Sequence, residues 1–388
     1  MTVSTEDRLA RAALSFIAEP GDTLLTRIVA ACGPSGALEV IKCGRAPDGI
    51  ARDPGERERL AVHLSGWRTR LPRADPEGDL TICAKLGGRM ICPGEAEWPT
   101  RLADLGEKEP LALWLRGPSD LRFACLRSVA VVGSRAASPY GTRVAQDLGA
   151  ELAERGWTVV SGGALGVDAA AHRGALAADG DTVGVFANGV DVAYPPRNDG
   201  LIAEMARRAL LVSEWPLGTS PTQLRFLVRN RVIAALSCGT VVVEADLRSG
   251  SLNTAEHARR LGRPLMAVPG PINSRQSRGA NQLLRADEPA ICVTGVTEVI
   301  EAVGRLGTDL AVRPRGPVLP RDELDAVTRR VLEAIPARGG AGPAQVAVRA
   351  GVDVPTVLGR LGLLSAGGFI ERGRDGWRLP RRRNGRAA

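Results

Sequence analysis

Three short runs of small residues in this chain have the composition to hold an anion: Gly133-Ser134-Arg135, Ser161-Gly162-Gly163-Ala164 and Ser249-Gly250-Ser251. Each leads into a stretch of helical composition, so its peptide N–H groups would gather where a helix dipole favours negative charge. Glycine lets the backbone approach a ligand closely and accept positive φ. Arginine supplies the charge. Arg135 ends the first run, and Arg225, Phe226, Arg229, Asn230 and Arg231 lie together in one segment that reads as a helix beginning near Pro221. A guanidinium grips phosphate through parallel N–H groups, and an aromatic beside it can stack on a base. Phe226 is either such a platform or a core residue, and one arginine of the 229/231 pair has the alternative of a solvated surface position.

Asp168 and His172, spaced i and i+4, would share one face of a helix. That spacing suits an acid–base pair or, as expected here, a carboxylate bracing the turn with a histidine packed beneath it. No serine or cysteine has an evident general base, and a Walker A sequence is absent. The G-x-G-x-x-G fingerprint is missing after the first strand, so nucleotide-cofactor redox chemistry is not expected. The cysteines at 32, 43, 83, 92, 125, 238 and 292 form no C-x-x-C pair, and His63, His172 and His257 lie far apart. No disulfide framework, structural metal or cofactor is expected.

The elements that must position these residues are short β-branched runs bounded by glycine: Val129–Val132, Thr158–Ser161, Thr182–Ala187, Leu210–Ser213, Thr240–Glu244, Leu265–Val268 and Ala290–Val293. Alternating with helices, they predict an α/β fold with a doubly wound parallel sheet, whose ligands bind at the carboxyl ends of the strands. Around it the pattern divides. Residues 1–80 read as a small helical domain of the SAM or helix–hairpin–helix kind, with helices at Asp7–Phe16, Thr23–Cys32, Gly36–Ile41 and Gly55–Arg70 and a turn at Gly33–Gly36. Residues 81–305 hold the sheet, and 306–320 are a Pro/Gly-rich linker. Residues 321–380 have the layout of a winged helix, with helices at Val327–Ile335, Pro343–Ala350 and Pro355–Ala366 before two wing strands. Residues 381–388 are a basic tail. The third of these helices carries little base-reading chemistry, which suits an accessory or protein-contact role better than the major groove.

At 388 residues the chain is long enough for two or three domains. Its net charge is +8, and from Arg321 onward 13 arginines face 7 acids. This basic balance suits nucleic acid. No apolar run of bilayer-spanning length and no secretory leader is read, so a soluble cytoplasmic protein with no membrane partner is expected.

Taken in order, the central segments resemble the DNA-processing protein A (DprA/Smf) family. The matching stretches are Val131-Val-Gly-Ser-Arg135, Ser161-Gly-Gly-Ala-Leu-Gly-Val-Asp168 with His172, and Gly189-Val-Asp-Val-Ala-Tyr-Pro195 with Asn198. They continue through Ser213-Glu214, Phe226 with Arg229-Asn-Arg231, Val243-Glu-Ala245, Ser249-Gly-Ser-Leu252 and Ala267-Val-Pro-Gly270. The resemblance covers the whole central domain. It implies an extended Rossmann-like domain that dimerises, binds single-stranded DNA without cutting it, protects the strand and assists RecA loading. On that resemblance Arg135, the 161–164 turn, Phe226, Arg229, Arg231 and the 249–251 turn line the DNA groove. One departure stands out: many members carry lysine three residues before the phenylalanine, where this chain has Gln223, and Arg225 is the candidate substitute. The fold also resembles nucleoside-monophosphate hydrolases of the lysine-decarboxylase-like (LOG) superfamily. Those carry Pro-Gly-Gly-x-Gly-Thr and a catalytic glutamate, whereas this chain has Arg248-Ser-Gly-Ser-Leu-Asn-Thr254 with Glu256 offset, which disfavours hydrolysis. A small-nucleotide sensor is a second alternative, and an enclosed pocket in place of an open groove would distinguish it.

Overall fold

The computed structural model describes residues 3–304, 309 and 320–380. The chain begins with α1 (Thr5–Ile17), α2 (Thr23–Cys43), α3 (Pro54–Arg70) and α4 (Pro76–Lys85), the last not anticipated from sequence. Side-chain caps set each start: Ser4, Asp22, Asp53 and Asp75 accept from N–H groups of the first turn. The expected break at Gly33 is a kink with φ of +74° inside α2. By length and composition α2 could cross a membrane, but it is broken at that kink. Its Leu24, Leu25, Ile28 and Ile41 pack with Leu14, Ile17 and Trp67 into a helical core.

The sheet follows: β1 (Gly88–Ile91), β2 (Leu113–Arg116), α5 (Leu121–Leu126), β3 (Ser128–Val132), α6 (Pro139–Glu154), β4 (Thr158–Ser161), α7 (Val167–Ala177) and β5 (Thr182–Phe186). Next come α8 (Asp199–Arg208), β6 (Leu210–Ser213), α9 (Gln223–Leu236), β7 (Gly239–Val242), α10 (Ser251–Arg260) and β8 (Leu265–Ala267). The series ends with α11 (Arg278–Leu283), β9 (Ile291–Cys292) and α12 (Val296–Val303). The strand order is β1-β2-β6-β5-β4-β3-β7-β8-β9, parallel from β6 to β9, with β1 and β2 added antiparallel at one edge. Alternate residues of β3 enter opposite cores. Ala130 and Val132 pack with Val232 and Leu236 of α9, and Val129 and Val131 pack with Leu148 of α6 and Ala171 of α7. The strands are therefore apolar on both faces, as a sheet covered by helices on both sides requires.

The chain splits into two compact units, Met1–Ala311 and Val312–Ala388. The N-terminal helices belong to the first, tied to the sheet region through Arg8, which donates to the Met90 carbonyl and pairs with Glu95, and through Arg27, which pairs with Glu107. The second unit holds α13 (Ala326–Glu333), α14 (Pro343–Ala350), α15 (Val354–Ala366) and a hairpin of β10 (Glu371–Gly373) and β11 (Gly376–Arg378). The expected linker lies outside the described residues except for Asp309 and Pro320, and the basic tail 381–388 lies wholly outside them.

Candidate nucleic-acid interface

β3 is followed in sequence by strands on one side of it and later by strands on the other, so the topological switch point lies between β3 and β7. In open α/β sheets that crevice, beneath the N-terminus of the next helix, is where nucleotide phosphates sit. Here a protein carboxylate occupies it. Glu244, just past β7 and 1% exposed, accepts from the Ser138 N–H at 2.8 Å and from Ser138 Oγ at 2.5 Å, at the cap of α6. Its carbonyl accepts from the Ser134 N–H at 2.7 Å. Gly141 lacks a side chain where a Cβ would overlap the Glu244 carboxylate. The first turn therefore spends this amide inside the protein, contrary to the expectation that its N–H groups stand free for an anion.

The β4 turn is partly committed in the same way. Asp168 Oδ2 accepts from the N–H groups of Gly162 at 3.1 Å and Ala164 at 3.4 Å. Burial pushes its carboxyl above the ordinary range, against the opposing pull of Arg229 and these amides. Asn198 Nδ2 donates to the carbonyls of Gly163 and Ala164. The N–H groups of Gly163 and Leu165 make no hydrogen bond with any described residue. Gly166, at φ +79°, lets the two turns touch, because a Cβ there would overlap the Ser134 carbonyl. His172 is fully buried. Its Nδ1–H donates to Thr182 Oγ1, whose own proton goes to the Val159 carbonyl. Desolvation, aided by Arg229 and Arg173, lowers its pKa to about 3. Asp168 is thus a turn brace and His172 a packed neutral residue, as expected, and they do not form an acid–base pair.

α9 joins the turns. Arg229, 4% exposed, donates Nη1 to the carbonyls of Gly162 and Val185 and Nε to Asn230 Oδ1. Its Nη2 has no protein partner among the described residues. Desolvation lowers its pKa to about 10, so it stays charged at neutral pH. Asn230 Nδ2 donates to the Gly250 carbonyl and Asn253 Oδ1, fastening the third turn, in which Ser249 Oγ and Ser251 Oγ lie 2.7 Å apart. The exposed Arg135 guanidinium lies 4.6 Å from the centre of the Phe226 ring, and the centres of the Tyr194 and Phe226 rings are 5.8 Å apart. Phe226 is half-buried at this edge and is not a core residue.

Two expected groove residues are placed elsewhere. Arg231 faces inward, 2% exposed, with both terminal nitrogens 2.6 Å from the Glu214 carboxylate, itself 4% exposed. It cannot line a groove, because the charge is consumed by a buried pair. Arg225 sits at the surface but its Nε lies 3.1–3.2 Å from Glu19, and Glu19 also accepts from Trp215 Nε1 at 3.0 Å. Conversely, Tyr194, Asn188 and Glu244 belong to this edge and were not among the expected groove residues, although Tyr194 and Glu244 lie in stretches that carry the family resemblance. Tyr194, one of two tyrosines, ends the loop after β5 before a proline, and that position was the available signal.

A recess of about 80 Å³ opens among Arg135, Gly162–Leu165, Phe186, Asn188, Tyr194 and Phe226. A site that encloses a small molecule offers about 300–1,000 Å³. Fold and site together define a Rossmann-like protein whose switch-point crevice is filled by Glu244 and whose exposed Arg135 and Tyr194 flank a half-buried Phe226. Residues 89–304 match the family described as DNA recombination-mediator protein A. A protein of Mycobacterium tuberculosis, provisionally named DNA processing protein DprA, is 41% identical over 98% of this chain and 96% of its own length. Protein Smf of Escherichia coli is 39% identical over 59% of this chain and 60% of its own. The crystal structure of DNA processing protein A from Streptococcus pneumoniae superposes with a TM-score of 0.61 at 28% identity, covering 79% of this chain and all of that one. The Helicobacter pylori protein, studied for its single-stranded DNA binding mode, is 32% identical with a TM-score of 0.50, covering 55% and 94%. The chain belongs to the DNA recombination-mediator protein A family.

Proposed function

We propose that this chain binds single-stranded DNA without sequence preference along the carboxyl edge of its sheet. Arg135, Arg229 and the 161–164 and 249–251 turns would hold phosphates, while Phe226 and Tyr194 stack bases. The observation that carries this reading is the exposed Arg135 laid over Phe226 beside an Arg229 nitrogen that has no partner among the described residues, which couples phosphate charge to a stacking face at one place. Such pairing is how sequence-tolerant strand grooves work. The filled switch point and the small recess count against a mononucleotide hydrolase or sensor. The described single-strand binding of the H. pylori relative supports the same reading.

On family grounds the bound strand is protected and passed to RecA, by a homodimer in the cytoplasm that performs no covalent chemistry. Residues 321–380 form a winged helix in an accessory or protein-contact role, with 306–320 as linker and 381–388 as a basic tail adding nonspecific attraction. Fluorescence anisotropy with a labelled mixed-sequence strand and its duplex, at low and moderate salt, tests the proposal. Tight, salt-sensitive binding that favours the single strand is expected. Binding of neither form at low salt would overturn it.

A further inference from the structure

Across the switch point from Phe226, the same edge of the sheet carries another exposed ring. Tyr140, the second residue of α6, is 42% exposed, and its hydroxyl donates to the Pro269 carbonyl, just past β8, at 2.9 Å. That bond fixes the direction of the ring while much of it stays in water. The turn after β8 is itself braced, because Asn281 accepts from the Gly270 N–H at 3.1 Å and donates to the Gly270 carbonyl at 3.0 Å. Ile272 in the same turn is 94% exposed. Arginines stand beside it. Arg278 opens α11, and the N–H of the next residue, Gly279, donates to the Ala245 carbonyl at 2.7 Å, which brings Arg278 beside the loop after β7. Arg248 lies in that loop. Both arginines are exposed and pair with no acid among the described residues, whereas nearby Asp246 is held by Arg275 at 2.6 Å, a contact that keeps its carboxyl below the ordinary range.

We propose that the strand runs on across the switch point to a second station here, where a base stacks on Tyr140 beside Ile272 and the adjoining phosphates pair with Arg248 and Arg278. An exposed ring with arginines around it is the combination that holds single strands without reading their sequence. In the sheet order four inter-strand steps separate β5, whose following loop carries Tyr194, from β8, or about 19 Å at roughly 4.8 Å each. A stacked strand rises about 3.4 Å per nucleotide, so about six nucleotides join the two stations, and fewer where the bases unstack. The second station therefore gives the edge a length requirement that the Phe226 site alone does not have. This inference rests on the strand-binding reading above.

Anisotropy with a labelled oligothymidine of about 12 nucleotides, long enough to reach both stations, tests this on the full chain, with melting temperatures to confirm that each variant folds. Tyr140→Leu should weaken binding about fivefold or more, as for one lost stacking platform, and leave the salt slope unchanged. Tyr140→Phe, which keeps the ring and loses the Pro269 bond, should restore most of that loss. Arg248→Ala combined with Arg278→Ala should lower the logarithmic salt slope by about 1.4, as two phosphate contacts require. Against an oligothymidine of about 3 nucleotides, too short to join the stations, Tyr140→Leu should compete no differently from the unmodified chain. If Tyr140→Phe binds as weakly as Tyr140→Leu, the hydroxyl's structural bond and not the ring is what matters, and the stacking station is overturned. Full affinity of Tyr140→Leu for the long strand, with Arg135→Ala still weakened, overturns the second station and leaves strand binding intact. Failure of the unmodified chain to bind the long strand at low salt overturns both.

Discussion

Replacing Arg231 by alanine should damage stability and leave strand affinity alone. The arginine and Glu214 are 2% and 4% exposed, and two nitrogen–oxygen contacts of 2.6 Å join them. Arg231 also donates to the carbonyls of Lys108 and Val228, so it anchors the segment before β2 to α9. Removing it strands the Glu214 carboxylate without a partner in the interior. Breaking one side of a buried pair costs about 3–5 kcal/mol. At roughly 2–3 °C per kcal/mol for a large unit, the melting temperature should fall by about 6–15 °C. Circular dichroism melts measure this directly, and anisotropy below the transition measures the strand. The double variant Arg231→Met with Glu214→Leu, which leaves no orphaned charge, should recover much of the loss. A normal melting temperature with strand affinity reduced tenfold would refute the reasoning and return Arg231 to the groove.

Arg135→Ala is the opposite case: the folded protein should keep its melting temperature, bind single strands more weakly and lose about 0.7 from its logarithmic salt slope, as one phosphate contact requires. Glu19→Gln should release Arg225 and raise low-salt affinity by about two- to fivefold, and Arg225→Ala in that background should remove the gain; no gain on releasing Arg225 would mean that the strand does not pass it. Acid stability should depend on His172. The unfolded histidine takes up a proton near pH 6.5, whereas the folded one stays neutral to about pH 3. Stability is therefore complete above 6.5 and declines as pH falls, by about 1.4 kcal/mol per unit from this residue. Urea unfolding at pH 6.5 and 5.0 should show that slope reduced in His172→Leu. His257, lowered to about 4, contributes a parallel decline and should remain in that variant.

Strands were legible where local pattern and tertiary role agree. β4 and β6 lie at their expected residues, because a β-branched or leucine-rich run that ends at a small polar residue before a turn has few other uses. β1 and β2 add antiparallel at the sheet edge, and Gly88–Ile91 is too mixed in composition to announce a strand. The arginines of α9 show the limit more sharply. From Arg229 to Leu236 this helix is buried on every side, so it has no polar face to mark which arginine points outward. Arg231 turns in because Glu214, 17 residues earlier on another element, waits for it, and sequence spacing carries no trace of that pairing. Arg225 is held by Glu19 from the helical region, again across a long interval. The turns are present as backbone features, but the Ser134, Gly162 and Ala164 amides were already answered by Glu244 and Asp168. A lone acidic residue looks the same in a sequence whether it caps the protein's own backbone or faces solvent.

Glu244 accounts for the location of the proposed groove. In a sheet of this topology the strongest anion site is the switch-point crevice under a helix N-terminus. Ser138 caps α6 there, but the approaching negative charge comes from the protein, and Gly141 gives the carboxylate room. An incoming phosphate at that place would meet a buried carboxylate and gain nothing from the helix. On the proposed function charge recognition is left to Arg135 and Arg229, both of which lie against the Phe226 ring. A crevice encloses a single nucleotide, whereas an edge with arginine and aromatic groups exposed along it leaves both ends of a polymer free. Glu244→Gln should not create a mononucleotide site, because the amide still fills the space. Glu244→Gly should open it, and equilibrium dialysis with labelled nucleoside monophosphates should detect binding to that variant and not to the unmodified chain. Binding of monophosphate by the unmodified chain at micromolar affinity would remove Glu244 as the barrier and with it this explanation of the groove's position.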